Sequence, residues 1–373
     1  MGPTLLRVWR GLRADSFFKI LLAALLLLGL LAPSRIPSYP GLVDWPTMAA
    51  LTGLLLLTKG LELSGVLHRL GRLLVGVMAT ERAAALSLVL AAALLSTVLT
   101  NDVALFVVVP LTLGVCRMTG LPLTRLVVFE ALAVNAGSAL TPIGNPQNLF
   151  LWQQAQVSFA EFVWHQLPLV AGLMAALLAL TAWTFGSRRI TVRDDDHTPL
   201  DRRLLVVSLL LYVPFLVATD LHQPGWAVAG VLAVFLVLRP AVLAELDWGL
   251  LLVFVLMFID LRLLAGLPLV QQAMQGLGLQ EPVPLYLAGI AASQVVSNVP
   301  AAIALAEYSS NWRVLAYAVN VGGFGLMVGS LANLISLRLT GDRQAWKLFH
   351  VYALPALAVA ALLGYVLLFR AAA

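Results

Sequence analysis

The stretch Asn135–Leu149, NAGSALTPIGNPQNL, aligns without gaps with Asn320–Leu334, NVGGFGLMVGSLANL. Five of the 15 aligned positions are identical, whereas typical residue usage gives about one match by chance. Two prolines remove backbone donors from the first copy, and several glycines loosen the second. Each copy also carries polar amides that can satisfy the freed backbone groups. The two stretches therefore predict a pair of helices that are broken in the middle.

Two further repeats precede these stretches in the same order. Asp44-Trp45 is repeated as Asp247-Trp248, and Ser96-x-x-x-Thr100-Asn101 is repeated as Ser293-x-x-x-Ser297-Asn298. Three matched features in one order indicate an internal duplication. The chain therefore consists of two related halves.

The composition places both halves in a membrane. Of the 373 residues, 61% are hydrophobic and only 11% are charged, whereas a soluble protein has roughly 25% charged residues. Apolar runs such as 17–32, 163–185 and 351–369 suit lipid as their solvent. The single Cys116 excludes an intramolecular disulfide and a multi-cysteine metal site. We predict an all-α polytopic membrane protein.

Two apolar regions break at a polar tip instead of continuing as one helix. Residues 83–116 break at Thr100-Asn101-Asp102, and residues 283–308 break at Ser297-Asn298. Their arms read as too short to cross about 30 Å of hydrocarbon, which needs about 20 residues. We therefore predict two re-entrant hairpins, whose tips must line a cavity inside the protein.

The predicted organisation has two repeats joined by a hydrophilic linker. The first repeat, residues 1–185, contains scaffold helices 17–61, hairpin 83–116, broken helix 124–150 and helix 163–185. Residues 186–203 form a cytoplasmic linker with a solvated composition. The second repeat, residues 204–373, contains scaffold helices 204–265, hairpin 283–308, broken helix 312–337 and helix 348–369.

Counting the crossings indicates that the repeats are inverted. With the hairpins re-entrant the chain crosses nine times, so the two termini lie on opposite sides and the two Asp-Trp pairs face opposite sides. We predict a cytoplasmic N-terminus and a periplasmic C-terminus. This topology puts nineteen basic residues inside and leaves four outside, in agreement with the positive-inside rule. The rule also explains the net charge of +5 without a nucleic-acid partner. The segment before residue 33 reads as a membrane helix rather than a signal peptide, because Ala32-Pro33-Ser34 is a poor cleavage site.

The hairpin tips and the breaks carry the candidate binding groups. Backbone N–H groups at a half-helix N-terminus favour anions, while carbonyls at the preceding C-terminus favour cations. The alternative is that these Ser, Thr and Asn side chains only cap helix ends. The predicted substrate-binding residues are Thr100, Asn101, Asp102, Asn135, Thr141, Asn145, Asn148, Ser297, Asn298, Asn320, Ser330 and Asn333.

Asp102 is the sharpest of these candidates, because a carboxylate at membrane depth costs roughly 2.5–3.5 kcal/mol on insertion scales. It can take a proton, hold a cation or repel a multiply charged anion. Neither the tips nor the breaks contain a lysine or an arginine. This favours a weakly charged substrate or a proton-coupled cycle. The alternative is that Asp102 caps the second hairpin helix, and we expect Asp260 and Arg262 to form a structural pair.

The segments STVLTNDVALFVVVP, TPIGNPQNL and SQVVSNVPA resemble the signature segments of the ion transporter superfamily. That superfamily includes arsenite permeases, citrate transporters and sodium-coupled dicarboxylate symporters, and the chain is most similar to uncharacterised bacterial inner-membrane citrate transporter-like permeases. The resemblance implies a homodimer, in which a transport domain moves against a scaffold by an elevator mechanism. It also implies possible Na⁺ ligands at Ser96, Thr100, Asn101 and Gly144, and at Ser293, Ser297, Asn298 and Gly329. The tips differ from the Ser-Asn-Thr tip of the dicarboxylate symporters, which weakens a transfer of that specificity.

These observations predict a secondary active transporter for a small anion or oxyanion, coupled to H⁺ or Na⁺, in the bacterial inner membrane. An arsenite or metalloid efflux permease, a Na⁺/H⁺ antiporter and a passive channel are the alternatives. The sequence has no His-Glu-x-x-His or Gly-x-Ser-x-Gly motif, so we do not expect an enzyme. We expect no cofactor beyond the coupling ion. The predicted partners are the substrate, the bilayer and a second copy of the chain that binds through the scaffold helices.

Overall fold

The computed structural model describes residues 12–13, 16–31, 33–75, 78–190, 199–342 and 344–370. Residues 191–198, in the middle of the predicted linker, lie outside the described residues. The named helices of the described part are α1 (Ser16–Leu31), α2 (Tyr39–Leu42), α3 (Trp45–Leu63), α4 (Val66–Val75), α5 (Glu81–Val98), α6 (Asn101–Thr119), α7 (Leu123–Ser138), α8 (Pro146–Ala155), α9 (Phe159–Thr184), α10 (Arg202–Asp220), α11 (Pro224–Leu238), α12 (Pro240–Ala244), α13 (Trp248–Ala265), α14 (Pro268–Gln275), α15 (Pro282–Val296), α16 (Asn298–Ala306), α17 (Trp312–Gly322), α18 (Leu331–Leu339) and α19 (Ala345–Phe369). Short 3-10 turns cover Pro33–Ser38 and Met327–Gly329, and no strand occurs among the described residues.

The helices confirm the predicted polytopic membrane fold. Within the described residues, six helices are long and apolar enough to cross a membrane, namely α5, α6, α9, α10, α13 and α19. A seventh candidate is α1 together with residues 33–42, which follow at a bend of 119°. The count of nine crossings stays a prediction, because it also includes the two broken helices and the shorter or less apolar α3 and α11.

The arms of the first hairpin are longer than predicted. Helices α5 and α6 have 18 and 19 residues, or about 27–29 Å each. Both are long and apolar enough to cross a membrane, so the prediction that they are too short is wrong. Thr80 caps the start of α5, and Gly120 ends α6 in the left-handed conformation with φ 69°. The second hairpin has arms of 15 and 9 residues. Re-entry of both hairpins stays a prediction.

The scaffold helices pack closely where glycines face large side chains. Helix α3 contacts α10 and α11, and α13 contacts α1. A Cβ atom on Gly53 would collide with the ring of Phe215, and one on Gly60 would lie 2.9 Å from Cζ of Phe235. In a membrane, such small residues allow the close helix approach that van der Waals packing requires.

The two Asp-Trp pairs have the same local structure. Asp44 and Asp247 each cap the helix that follows, accepting at 3.0 Å from the backbone N–H three residues later. The indoles of Trp45 and Trp248 each donate to the carbonyl five residues earlier, at 2.9 and 3.0 Å. The repeated residues of the two Asp-Trp pairs therefore also make equivalent hydrogen bonds.

The predicted pair of Asp260 with Arg262 does not form. Arg262 instead contacts Glu307 at 2.9 Å and Asp44 at 3.8 Å, and it donates to the carbonyl of Leu42 at 2.7 Å. Residues two apart on a helix point to different sides, which explains the error. Both carboxylate oxygens of Asp260 are buried without a partner among the described residues.

Both hairpins and both broken helices pack together as one unit, which we call the site-bearing group (α5–α8 and α15–α18). Its contacts are reciprocal. Helix α5 packs on α7 as α15 packs on α17, and α6 contacts α18 as α16 contacts α8. Two copies related by a two-fold axis would produce this pattern. The group touches the scaffold through contacts of α8 with α3 and of α16 with α13.

Candidate functional site

The first hairpin tip docks directly on the first break. The backbone N–H of Asn101 donates to the carbonyl of Gly144 at 2.9 Å. The hydroxyl of Thr141 donates to the carbonyl of Thr97 at 2.6 Å. A Cβ atom at position 144 would lie 2.8 Å from the carbonyl oxygen of Ser96. Glycine is required here because the two backbones touch.

The second tip docks through a side chain that sequence reasoning missed. The Gln294 amide donates to the carbonyls of Gly322 at 2.7 Å and Phe324 at 3.1 Å, and its oxygen accepts from the N–H of Leu326 at 2.7 Å. One glutamine thus satisfies three backbone groups freed by the break. Its position directly after Ser293 was the available signal, but the repeat pattern points to the serine.

A histidine also reaches the second break. The backbone N–H of Met327 donates to Nε2 of His350 at 3.3 Å. His350 lies in α19 and is outside both repeats' tip and break sequences, so no local pattern could identify it. The contact attaches the long C-terminal helix to the loop between α17 and α18.

Four helices begin at the centre of the site-bearing group. The N-cap residues of α6, α8, α16 and α18 are Thr100, Asn145, Ser297 and Ser330, and all four are predicted site residues. Each helix N-terminus carries about half a positive charge. The four N-termini therefore provide the positive potential that an anion needs, although the centre has no lysine or arginine.

The two breaks bind each other through a matched pair of amide contacts. The Asn135 amide donates to Oδ1 of Asn333 at 2.7 Å, and the Asn320 amide donates to Oδ1 of Asn148, also at 2.7 Å. In the sequence alignment Asn135 corresponds to Asn320, and Asn148 corresponds to Asn333. The two bonds are therefore equivalent: in one, the first copy supplies the donor and the second the acceptor, and in the other these roles are exchanged.

The remaining bonds of these asparagines also go to the breaks. The Asn148 amide donates to the carbonyls of Ser138, Ala139 and Thr141 at 3.1–3.3 Å. The Asn145 amide donates to the carbonyl of Ser138 and to Oδ1 of Asn320, both at 3.1 Å. The side chains of five helix asparagines are thus hydrogen-bonded within the site-bearing group, and substrate binding by them stays a prediction; they are Asn135, Asn145, Asn148, Asn320 and Asn333.

The tip asparagines differ from these helix asparagines. Asn101 and Asn298 are 6% and 3% exposed, and among the described residues neither side-chain NH₂ donates a hydrogen bond. Asn298 is directed at the break, because a Cβ atom on Gly323 would lie 3.3 Å from its Nδ2. Both tips therefore keep unused NH₂ donors, and the binding of a substrate by these residues stays a prediction.

Three further polar oxygens at or beside the centre have no partner among the described residues. They are Oγ of Ser330, Oε1 of Gln147 and Oδ1 of Asp102. Asp102 does not cap α6, because its Oδ1 has no hydrogen bond and Asn101 accepts the first free N–H instead. The side chain of Asp102 is half-buried, whereas the other eleven predicted residues are buried. Gln147 is absent from the predicted set and adds an acceptor to it.

The predicted Na⁺ ligands lie at the ends of the hairpin arms. The hydroxyls of Ser96 and Ser293 donate within their own helices, to Ala93 at 2.8 Å and Gly289 at 2.7 Å. Their oxygens keep lone pairs, and the C-termini of α5 and α15 lie beside them. Binding of Na⁺ at these positions stays a prediction.

Ser297 at the second tip has a strained backbone, with φ 77° and ψ 156°. This region is essentially restricted to glycine and costs about 1–3 kcal/mol for other residues. We expect Ser297→Gly to stabilise the protein by about 1 kcal/mol after the entropic cost of glycine is subtracted, measured as a higher Tm. The repeat-related Thr100 has φ −67°, so Thr100→Gly is the control and should lower the Tm. A lower Tm for both variants would contradict the strain.

Paired hairpins, paired broken helices and a shared polar centre within an apolar helical bundle define a membrane transporter. Residues 5–314 match the family described as citrate transporter. The chain belongs to this family.

Individual relatives agree over nearly the whole chain. The Inner membrane protein YbiR of Escherichia coli is 49% identical over 361 residues, which cover 96% of this chain and 97% of the relative. An uncharacterized transporter of Methanocaldococcus jannaschii, MJ0456, is 30% identical over 327 residues, covering 85% of this chain and 86% of the relative. An uncharacterized transporter of Mycobacterium tuberculosis, MT2759, is 29% identical over 341 residues, covering 79% and 78%. The chain is therefore a multi-pass membrane transporter.

Proposed function

We propose that this transporter moves a small anion of low charge by secondary active transport, coupled to H⁺ or Na⁺. The observation that carries the proposal is the meeting, in one buried centre, of four helix N-termini and two tip asparagines whose NH₂ groups donate no hydrogen bond among the described residues. N-termini and amide donors bind oxyanions without a formal positive charge. The family name, citrate transporter, supports an anionic substrate.

Asp102 supports coupling to a cation. Its half-buried carboxylate follows Asn101 at the first tip, and none of the ion pairs between described residues includes it. A proton or Na⁺ bound there removes the repulsion between the carboxylate and an anionic substrate. The same argument disfavours a bare trianion, since its charge would exceed what the N-termini compensate.

The proposed movement is an elevator motion of the site-bearing group against the scaffold. The asparagine bonds hold the group together. The group contacts the scaffold where α8 packs on α3 and where α16 packs on α13. We further propose a homodimer formed through the scaffold helices, whose outer faces expose large apolar side chains such as Leu210, Trp226 and Val237. The protein would lie in the inner membrane with its N-terminus in the cytoplasm and its C-terminus in the periplasm.

The substrate class is tested by thermal unfolding of the purified protein with citrate, succinate, phosphate or arsenite, at several pH values with and without Na⁺. A ligand at 100 times its Kd stabilises the folded state by about 2.7 kcal/mol. We expect the anion that raises the Tm of the wild type to have little effect on Asn101→Ala or Asn298→Ala. Asn311→Ala is the matched control, because Asn311 only caps the start of α17.

Transport is then measured in proteoliposomes with the anion that raises the Tm. Saturable uptake that follows a pH or Na⁺ gradient is the expected result. Stabilisation by arsenite alone would instead favour the metalloid permease, and ion exchange without an anion would favour the Na⁺/H⁺ antiporter. Uptake that neither saturates nor depends on the counter-ion would contradict a carrier and indicate a passive channel.

A further inference from the structure

Glu130 lies in the middle of α7, where every residue from Leu126 to Ser138 is buried. Its side chain is 0% exposed. The hydroxyl of Thr112 on α6 donates to Oε1, and Oε2 has no partner among the described residues. None of the ion pairs between described residues includes Glu130. As a carboxylate it would be an unpaired charge inside the protein, which is strongly unfavourable.

The two protonation forms of Glu130 differ in how well this pocket satisfies them. The carboxylate has four acceptor sites and receives one hydrogen bond, from Thr112. Binding a proton forms an O–H bond at Oε2 and removes the charge, while Oε1 still accepts from Thr112. The pocket therefore provides a site whose ligand is a proton.

The titratable groups around α7 do not supply a partner. The helices packed against it are α5, α6, α9, α18 and α19. The titratable residues on these helices and on α7 itself are Glu81, Arg82, Asp102, Cys116, Arg117, Arg125, Glu161, His165, Arg338, Lys347, His350, Tyr352 and Tyr365. Of them, Cys116 lies one turn beyond Thr112 on the same face of α6. A thiol does not neutralise a carboxylate.

The position of Glu130 ties it to the central site without making it part of that site. It precedes Asn135 by five residues on α7, or about 7.5 Å along the helix axis. Asn135 in turn binds Gly323 and Asn333 of the other repeat. Glu130 therefore belongs to the site-bearing group, which would carry the substrate under the proposed function.

We propose that Glu130 is a proton-binding site of the site-bearing group, separate from the central site, and that it carries a proton when the group moves. The inference rests on the proposed function for its role in transport. Proton binding itself needs no substrate. A neutral Glu130 allows the group to pass through the membrane interior without an unpaired charge.

The test is infrared difference spectroscopy of the purified full chain in lipid over a pH series, in H₂O and in D₂O. We expect a protonated carboxyl C=O band that disappears at high pH and shifts in D₂O. The band should be absent in Glu130→Gln and present in Glu161→Gln, whose carboxylate is half-exposed and pairs with Arg313. Asp102 and Asp260 also have carboxyl oxygens without a partner among the described residues. The band should therefore remain in Asp102→Asn and in Asp260→Asn if it comes from Glu130.

Thr112→Val provides a variant that keeps the carboxyl if Glu130→Gln fails to fold. Its band should persist to higher pH, since the hydroxyl bond that favours the carboxylate is lost. The inference is overturned if Glu130→Gln retains the band, if Asp260→Asn or Asp102→Asn alone removes it, or if the band is unchanged across the whole pH series. These outcomes are independent of the uptake assay, so the inference and the proposed function can fail separately.

Discussion

Asn320→Ala is expected to reduce transport by roughly 10- to 100-fold and to lower the Tm. Asn320 donates to Asn148 at 2.7 Å and to the carbonyl of Ala316 at 2.8 Å, and it accepts from Asn145 at 3.1 Å. Removing it leaves the buried Oδ1 of Asn148 without its donor, at about 1–3 kcal/mol, whereas the Asn145 amide keeps its bond to the carbonyl of Ser138. Since about 1.4 kcal/mol corresponds to a factor of ten, this sets the expected range.

The matched control for Asn320→Ala lies nine residues earlier on the same helix. Asn311→Ala removes only a cap, whose Oδ1 accepts from the N–H of Val314 at 3.3 Å, and should leave transport nearly unchanged. The double variant Asn148→Ala with Asn320→Ala should lose less than the sum of the two single variants, because the bond between the two residues is counted in both single losses. Additive losses, or normal uptake by a folded Asn320→Ala protein, would show that this pair does not position the site.

Asp102→Asn is expected to abolish ion-driven accumulation while the protein still folds and binds its substrate. The neutral amide keeps the size of the side chain but cannot take a proton or hold Na⁺ by charge. Uptake should therefore lose its dependence on the pH or Na⁺ gradient. Thermal shifts with substrate and gradient-driven uptake in proteoliposomes separate the two effects.

Asp201→Asn is the control for Asp102→Asn. Asp201 caps α10 by accepting from the N–H of Leu204 at 3.0 Å, and asparagine caps a helix equally well. This variant should retain coupled transport. An Asp102→Asn protein with unchanged ion dependence would remove Asp102 from the coupling mechanism.

The breaks and tips could be predicted because they depend on local chemistry. Prolines and glycines interrupt helices wherever they occur, and the repeat of Asn135–Leu149 in Asn320–Leu334 made both breaks visible at once. The helix ends found near the tips and breaks follow from the same residues. Asp102 was also identifiable, because a charge is rare in an apolar run.

One sequence could not show which asparagine amides already donate hydrogen bonds within the protein and which are free to bind a ligand. Asn101 and Asn148 have the same side chain, and the packing of the broken segments around them decides which amide is already bonded. Gln294 and His350 were missed for the same reason, since their partners lie 28 to 32 and 23 residues away. No signal in the sequence indicated the surroundings of Glu130, because its contact with Thr112 requires α6 and α7 to fold back on each other.

The exchanged asparagine bonds also bear on the origin of the protein. Each copy supplies one donor and one acceptor, so neither bond can form within a single half. A half-length ancestor with asparagine at both positions could make both bonds only with a second copy of itself, as a symmetric homodimer. Gene fusion would then have preserved a subunit interface as the interior of one chain. In such a fused chain, a change at one of these asparagines in either half would remove a bond that the other half needs, which would restrict the independent divergence of the two copies.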